Sequence, residues 1–169
     1  GVITKIVLKL LPKVSHNVLM LVPFYQSEQA CEAVAAIFSA GIVPSALEFM
    51  EREAIDWTLK FNTDIRLEIK PEIQAHLLIE VDGNYPEILF QEAEKIMTVL
   101  DNFKIDEVLY ADTEDQKNAL WKMRRSVGEA VKSNSTYKEE DTVVPRFELP
   151  KLINGIKKIG SKYGFKSIC

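Results

Sequence analysis

Apolar residues along the chain fall into strand-like runs and helix-like stripes. Four short apolar runs bounded by turn residues or proline predict β-strands over residues 17–25, 42–49, 75–81 and 105–110. Elsewhere apolar side chains recur every three or four residues, which is the spacing of an amphipathic helix. Helices are predicted over residues 27–41, 51–62, 86–100, 113–131 and 150–164. Thr113 and Gln116 have the spacing of a capping box at the start of the fourth helix.

Alternating strands and helices are compatible with two fold classes. A doubly wound parallel sheet is one, but it usually carries a glycine-rich first turn for phosphate. The first strand-to-helix turn here reads PFYQSEQ and contains no glycine. We therefore predict an α+β fold with a ferredoxin-like antiparallel sheet. Its helices are expected on one face, which leaves the other face free for a partner domain. Pro44 predicts an edge position for the second strand.

The composition is that of an ordinary globular domain and argues against several classes of protein. Of 169 residues, 47% are hydrophobic and 27% charged, and the net charge is −4. The sequence does not show the basic stripe that is typical of nucleic-acid-binding proteins. No apolar run reaches the roughly 18 residues that span a bilayer. Two cysteines, Cys31 and Cys169, cannot build a disulfide framework. Their small number favours a reducing compartment.

Most residue types that carry chemistry occur here without the companions that they need. His16 and His76 have no second ligand at metal-binding spacing, so each is predicted to be a surface or hydrogen-bonded histidine. No nucleophile elbow, Walker loop or GxGxxG is present. Glu48 and Glu80 lie on predicted strands, where they could form an acid–base pair. The alternative is that they face solvent or pair with a basic side chain.

One helix surface has the residue types of an anion site. Helical spacing places Trp121, Arg124 and Gly128 on one ridge, opposite the apolar stripe. An arginine beside an aromatic ring and a small residue can hold a carboxylate through two hydrogen bonds. The alternative is a solvated face with a stacked pair. A polar segment, residues 132–141, follows and is predicted to be a loop that could line a site.

Five segments, in their order and spacing, resemble the FAD-linked oxidase C-terminal domain of vanillyl-alcohol-oxidase type flavoproteins. That family includes the glycolate oxidase D subunit, D-lactate dehydrogenase and D-2-hydroxyglutarate dehydrogenase. The resemblance covers almost the whole chain. The segments are GVITKIVLKLLPK at 1–13, ALEFM with REAIDW at 46–57, LLIEVDG at 77–83, ALWKMRRSVGEAV at 119–131 and EEDTVVPRFELPKL at 139–152.

The resemblance implies that the chain is a piece of a longer flavoprotein. Residues 1–13 match the last strand or arm of an FAD-binding domain that is otherwise missing, and residues 14–169 match a substrate (cap) domain truncated at its C-terminus. FAD would be bound mainly by the missing domain, with Gly1, Val2, Ile3 and Thr4 running against its nucleotide. Relatives continue into a GDGNxH segment that holds a divalent metal and the proposed base. No catalytic or metal-binding residue is therefore expected within this chain.

The resemblance also implies a substrate site around Arg124. The first arginine of W-x-x-R grips the substrate carboxylate in relatives, and its match here is Arg124. A substrate-binding threonine one turn later is replaced by Gly128. A substrate-binding lysine is replaced by Glu139, and the adjacent Lys138 could substitute for it after a loop shift. These departures argue against 2-hydroxyglutarate and favour a substrate of the glycolate or D-lactate type.

The expected function is that of a substrate-domain fragment of an FAD-dependent oxidoreductase, inactive by itself. The whole enzyme would oxidise a small 2-hydroxy acid by hydride transfer to flavin. Its partners would be the substrate and the FAD-binding domain of the same parent chain, with a homo-oligomer allowed. The location is expected to be cytoplasmic, or at a membrane through partner subunits. The alternative is a stand-alone ferredoxin-like module that binds a ligand or a protein.

Overall fold

The computed structural model describes residues 1–169 as a four-stranded sheet with six α-helices. The strands are β1 (His16–Phe24), β2 (Ala46–Glu51), β3 (Ala75–Gly83) and β4 (Leu109–Tyr110). The helices are α1 (Ser27–Ser39), α2 (Arg52–Phe61), α3 (Pro86–Leu100), α4 (Glu114–Arg125), α5 (Val127–Asn134) and α6 (Leu149–Tyr163). A short 3₁₀ turn, Arg146–Glu148, precedes α6.

The sheet is antiparallel throughout, with strand order β2-β3-β1-β4. β1 and β3 form its centre and pair from His16 opposite Gly83 to Phe24 opposite Ala75. The succession β1-α1-β2-β3-α3-β4, with α2 inserted between β2 and β3, matches the ferredoxin-like pattern. The predicted α+β class and antiparallel sheet are therefore confirmed. The edge position predicted for the second strand is confirmed as well.

The first face of the sheet carries the larger core. Alternate side chains of β1 and β3, including Met20, Val22 and Leu77, pack there against the apolar stripes of α1 and α3. The buried helix residues on this face are Ala30, Ala33, Ile37, Leu89, Ala93, Ile96 and Leu100. The larger of the two buried apolar clusters lies here, so this face is expected to contribute more of the hydrophobic stabilisation.

The second face is also covered by helices, which corrects the prediction that all helices lie on one side. Leu19, Leu21 and Leu78 pack there with Ile55 of α2 and with Leu120 and Met123 of α4. The physical reason lies in the two central strands. β1 and β3 are apolar at consecutive rather than alternate positions, and such strands are stable only when both faces are buried.

The helix predicted over residues 113–131 is two helices, because the chain breaks at Ser126. The predicted capping box is confirmed: Thr113 Oγ1 accepts from the Gln116 backbone, and Gln116 Oε1 accepts from the Thr113 backbone. At Ser126 the hydroxyl donates to the carbonyl of Lys122 at 2.7 Å. A side chain that bonds back to the preceding turn bends a helix. Arg124 therefore lies in the last turn of α4, which ends at Arg125, and Gly128 lies at the start of α5.

Two other predicted segments are less regular than expected. The strand predicted over residues 105–110 is reduced to β4, which joins β1 at two positions only. Residues 1–14 form neither helix nor strand, and their apolar side chains are exposed; Val2 and Ile3 are 89% and 80% exposed. The assignment of residues 1–13 to a separate FAD-binding domain stays a prediction.

The end of α6 depends on a glycine, and this dependence can be tested. A methyl group at position 160 would lie 2.6 Å from the carbonyl oxygen of Phe165, too close for any real contact. We expect Gly160→Ala to lower the free energy of unfolding by about 1–3 kcal/mol, because the backbone must shift to relieve the overlap. Chemical denaturation measures the change.

Gly155→Ala is the matched control for this variant. Gly155 lies in the same helix, and a methyl group there would meet nothing within 4 Å. An alanine in an open helical position stabilises by about 0.5–1 kcal/mol relative to glycine. Equal stability of the two variants would show that the contact between position 160 and Phe165 does not matter.

Candidate functional site

A row of polar side chains crosses one end of the second face of the sheet. Asn17 comes from β1, Glu80 from β3 and Glu48 from β2. Side chains alternate between the faces of a strand, so these three share a face with the buried Leu19 and Leu78. The row is therefore the polar margin of an otherwise apolar surface.

Helix α4 lies against this row and meets each of its three members. Lys117, Trp121 and Arg124 are spaced four and three residues apart, so they project from one side of the helix. Lys117 Nζ donates to Asn17 Oδ1 at 2.6 Å, and Trp121 Nε1 donates to Glu80 Oε2 at 2.7 Å. Together with the contact between Arg124 and Glu48, these hydrogen bonds orient the polar side of α4 toward the row.

Arg124 is bound along one edge of its guanidinium only. Nε donates to Glu48 Oε2 at 2.9 Å, and Nη2 forms an ion pair with the same oxygen at 2.8 Å. Nη1 donates no hydrogen bond within the chain. The Arg124 side chain is 36% exposed and that of Glu48 is 35% exposed. The end of the guanidinium, formed by Nη1 and the second hydrogen of Nη2, therefore remains available to a planar anion.

The two strand carboxylates serve separate partners rather than each other. Glu48 pairs with a basic side chain, as one of the two sequence interpretations predicted. Glu80 uses both oxygens for neutral donors, because Oε2 accepts from Trp121 and Oε1 accepts from Asn17 Nδ2 at 3.1 Å. Their contacts give no support to an acid–base pair. Each carboxylate instead anchors a different residue of α4.

The stacked pair that the sequence allowed is also present, but it uses the neighbouring arginine. The guanidinium of Arg125 lies over the ring of Trp121, 5.8 Å from its centroid. Arg124 is thus held by a carboxylate and Arg125 by an aromatic face. Their adjacency in sequence does not make them equivalent.

Lys138 lies apart from this site. It is in the segment between α5 and the 3₁₀ turn, its side chain is 85% exposed, and its ion-pair partner is Glu140. The hydrogen bond from Lys138 to Glu140 raises the pKa of the lysine above its usual value. No hydrogen bond or ion pair joins Lys138 to Arg124, so the structure does not bring these two predicted site residues together.

The residues predicted to approach the cofactor show no enclosed site of their own. Gly1, Val2, Ile3 and Thr4 are exposed, and a side chain added at Gly1 would meet nothing within 4 Å. These residues by themselves therefore form no cradle that would fit a flavin. Space is also open around Gly128, where a side chain would meet nothing within 4 Å.

His76 is buried, and only the structure reveals this. It is 3% exposed and its Nδ1 has no hydrogen-bond partner, which the sequence interpretation as a surface or satisfied histidine did not foresee. Burial, reinforced by the positive charge of Arg52, lowers the pKa of His76 to about 4. The imidazole is therefore neutral at pH 7. A cleft of about 350 Å³ beside it is lined by the segments 67–70 and 106–109.

A second buried polar group lies at the end of β2. Glu51 Oε2 accepts from Lys157 Nζ at 2.7 Å and from the backbone of Cys169 at 3.1 Å. Burial and the charge of Glu51 raise the pKa of the nearby Cys31 to about 12. A thiol in that state is protonated at pH 7 and is a poor nucleophile. The contacts of Glu51 with Lys157 and Cys169 therefore have the character of a structural anchor for the C-terminal segment.

Side chains of His, Cys, Asp and Glu nowhere gather in threes in a way that could hold a metal ion. None of the helices combines the length and the apolar composition that crossing a bilayer requires.

Comparison with known proteins relates the chain to FAD-linked oxidases. The family described as FAD linked oxidases, C-terminal domain, matches residues 13–169. The chain is 31% identical to the glycolate oxidase subunit GlcD of Bacillus subtilis, over 100% of the chain and 35% of the relative. It is 30% identical to a D-lactate dehydrogenase of Anaerostipes hadrus, over 98% of the chain and 36% of the relative. GlcD of Escherichia coli K12 is 29% identical over 98% of the chain. The chain spans about a third of the length of these relatives.

Proposed function

Because the chain belongs to the family of FAD-linked oxidase C-terminal domains, we propose that it is the substrate-binding part of an FAD-dependent enzyme that oxidises a small 2-hydroxy acid. Glycolate and D-lactate are the proposed substrates. The relatives named glycolate oxidase subunit and D-lactate dehydrogenase support this choice. The geometry that carries it within the chain is the unoccupied end of the Arg124 guanidinium.

Arg124 is proposed to bind the substrate carboxylate. A guanidinium end and a carboxylate are both planar and have matching spacing, so two parallel hydrogen bonds form. Fixing the carboxylate also fixes the orientation of the adjacent C2 carbon, where the reaction occurs. The contribution of this chain is therefore binding and orientation of the substrate.

The redox chemistry requires groups beyond those described. In the proposed reaction a hydride leaves C2 of the 2-hydroxy acid, the hydroxyl proton goes to a base, and FAD, when bound, supplies the hydride acceptor. We place most of the FAD site in another domain of the same protein, with residues 1–4 as a contact from this chain. Lys138 would approach the substrate only after a shift of its loop.

Two features argue against a larger dicarboxylate substrate. Gly128 offers no side-chain donor, and the position where relatives carry a lysine is Glu139. A second substrate carboxylate would therefore lack partners. Small monocarboxylates need only the contact with Arg124.

Anaerobic mixing of the full-length flavoprotein with candidate acids tests the proposed function. Glycolate or D-lactate should bleach the flavin absorbance, whereas acetate and propionate should not, because they carry no C2 hydroxyl. D-2-Hydroxyglutarate should bleach it much more slowly. A flavin-loaded protein that none of the 2-hydroxy acids reduces would contradict the proposal.

The alternative of a stand-alone ferredoxin-like module is not favoured. Similarity to FAD-linked oxidases extends over residues 13–169 and includes the helix that carries Arg124. A binding module unrelated to flavin chemistry would have no reason to show that similarity.

A further inference from the structure

We infer that Glu48 is a positioning residue, which orients Arg124 for the carboxylate of the substrate. This inference rests on the proposed function of Arg124 and adds a residue to it. Glu48 itself is not expected to touch the substrate. Its role follows from the edge of the guanidinium to which it binds.

A guanidinium offers two edges that can bind a carboxylate through two nitrogens. One edge is formed by Nε with Nη2, and the other by Nη1 with Nη2. Glu48 occupies the first edge through a single oxygen, at 2.9 Å from Nε and 2.8 Å from Nη2. The second edge therefore remains complete, and a substrate carboxylate can bind there without displacing Glu48.

The backbone around Glu48 makes it a firm reference point. Glu48 lies in the middle of β2, opposite Leu78 of the central strand β3. Its partner Arg124 is near the end of α4, just before the break at Ser126. A long arginine side chain at a helix end has many conformations available, and ordering it costs conformational entropy. The contact with Glu48 meets that cost before the substrate arrives.

Trp121 supports the same arrangement from one turn earlier in the helix. Glu80 holds its indole nitrogen at 2.7 Å, and Glu80 lies on the same face of the sheet as Glu48. Two carboxylates from neighbouring strands thus hold positions 121 and 124 of α4. The helix cannot rotate about its axis without breaking both contacts. The contact of Trp121 with Glu80 and the contact of Arg124 with Glu48 therefore both restrict the direction in which Arg124 points.

A competing interpretation predicts that Glu48 weakens substrate binding instead of strengthening it. If Glu48 acted as an internal substitute for the substrate carboxylate, it would block Arg124 and weaken binding. Glu48 would then have to occupy the edge that the substrate needs. The distances place it on the Nε edge instead, which favours positioning over competition.

Steady-state kinetics of the full-length flavoprotein with glycolate and D-lactate tests the inference. Glu48→Ala should lower kcat/KM by about tenfold or more, mainly through KM, because a disordered Arg124 must be ordered at each binding event. Glu48→Gln keeps a carbonyl oxygen that can accept from Nε and should recover most of the loss. Glu53→Ala is the matched control, since Glu53 pairs with Lys166 at 2.8 Å and forms no hydrogen bond or ion pair with Arg124. It should stay within about twofold of wild type.

The decisive comparison uses the double variant. A residue that acts through Arg124 has no further effect once Arg124 is removed, so Arg124→Ala with Glu48→Ala should match Arg124→Ala alone. If the two losses multiply, or if Glu48→Ala improves KM, the positioning role is wrong. If Arg124→Ala by itself has no effect, the proposed function of Arg124 fails. The two failures are therefore distinguishable.

Discussion

Arg124→Ala should lower kcat/KM for the 2-hydroxy acid by about 30-fold to several-thousand-fold in the full-length flavoprotein. Removing one partner of a desolvated, hydrogen-bonded charge pair costs about 2–5 kcal/mol, and this range gives the expected loss. The free end of the guanidinium is partly exposed in the chain alone. It becomes desolvated only when the substrate and the rest of the protein cover it.

Arg124→Lys should recover little of this activity. An ammonium group can replace the charge, but it cannot bind Glu48 along one edge and a carboxylate along another. Arg125→Ala is the internal control, because Arg125 lies over the Trp121 ring and not beside Glu48. Its kcat/KM should fall far less. A severe loss of kcat/KM for Arg125→Ala, with Arg124→Ala near wild type, would assign the substrate carboxylate to Arg125 and contradict the proposed role of Arg124.

Melting temperature and flavin content should change little in the Arg124 and Arg125 variants. Both side chains lie at the surface of α4 and neither contributes to the two hydrophobic clusters. Loss of activity together with loss of fold would leave the contact with the substrate unsupported. These two measurements therefore accompany the kinetics for every variant.

Acidification should destabilise the fold through His76. Its pKa is about 4 in the folded chain and about 6.5 when the chain is unfolded. Between these values the unfolded state binds a proton that the folded state does not, so the free energy of unfolding falls as the pH falls from about 6.5 to 4. A difference of about 2.5 pKa units corresponds to about 3 kcal/mol.

Denaturation curves at pH 7 and pH 4 measure this contribution. His76→Gln cannot gain a proton and should lose about 3 kcal/mol less than the wild type over that interval. His16→Gln removes an exposed histidine instead and should keep the full wild-type loss. An identical pH dependence of wild type and His76→Gln would show that His76 is not held neutral by the fold.

The sequence allowed much of the fold to be predicted because most local signals agree with the final structure. The Thr113 capping box, the start of α3 at Pro86 and the end of α6 at Gly164 depend on neighbouring residues only. The break at Ser126 was missed, because a serine that bonds back to the preceding turn also occurs within continuous helices. The second helical layer was missed although β1 shows consecutive apolar positions, which indicate burial on both faces.

The candidate site was only partly predictable, because its contacts join residues far apart in the chain. Helical spacing predicted that Trp121 and Arg124 lie together, and this is confirmed by their contacts with two adjacent strands. The pairing of Arg124 with Glu48, 76 positions away, depends on the register between β2 and β3. Burial of His76 likewise depends on segments distant in sequence. The roles of Lys138 and of residues 1–4 stay predictions.

Binding of a charged and a neutral ligand to the oxidised flavoprotein tests the central claim most directly. The claim is that Arg124 recognises the carboxylate of the substrate. The dissociation constants of pyruvate and of its neutral amide can be compared in wild type and in Arg124→Ala, with the flavin spectrum as readout. The account predicts at least a 30-fold weaker binding of pyruvate in the variant and little change for the amide. Equal changes for both ligands, or no change for pyruvate, would contradict it.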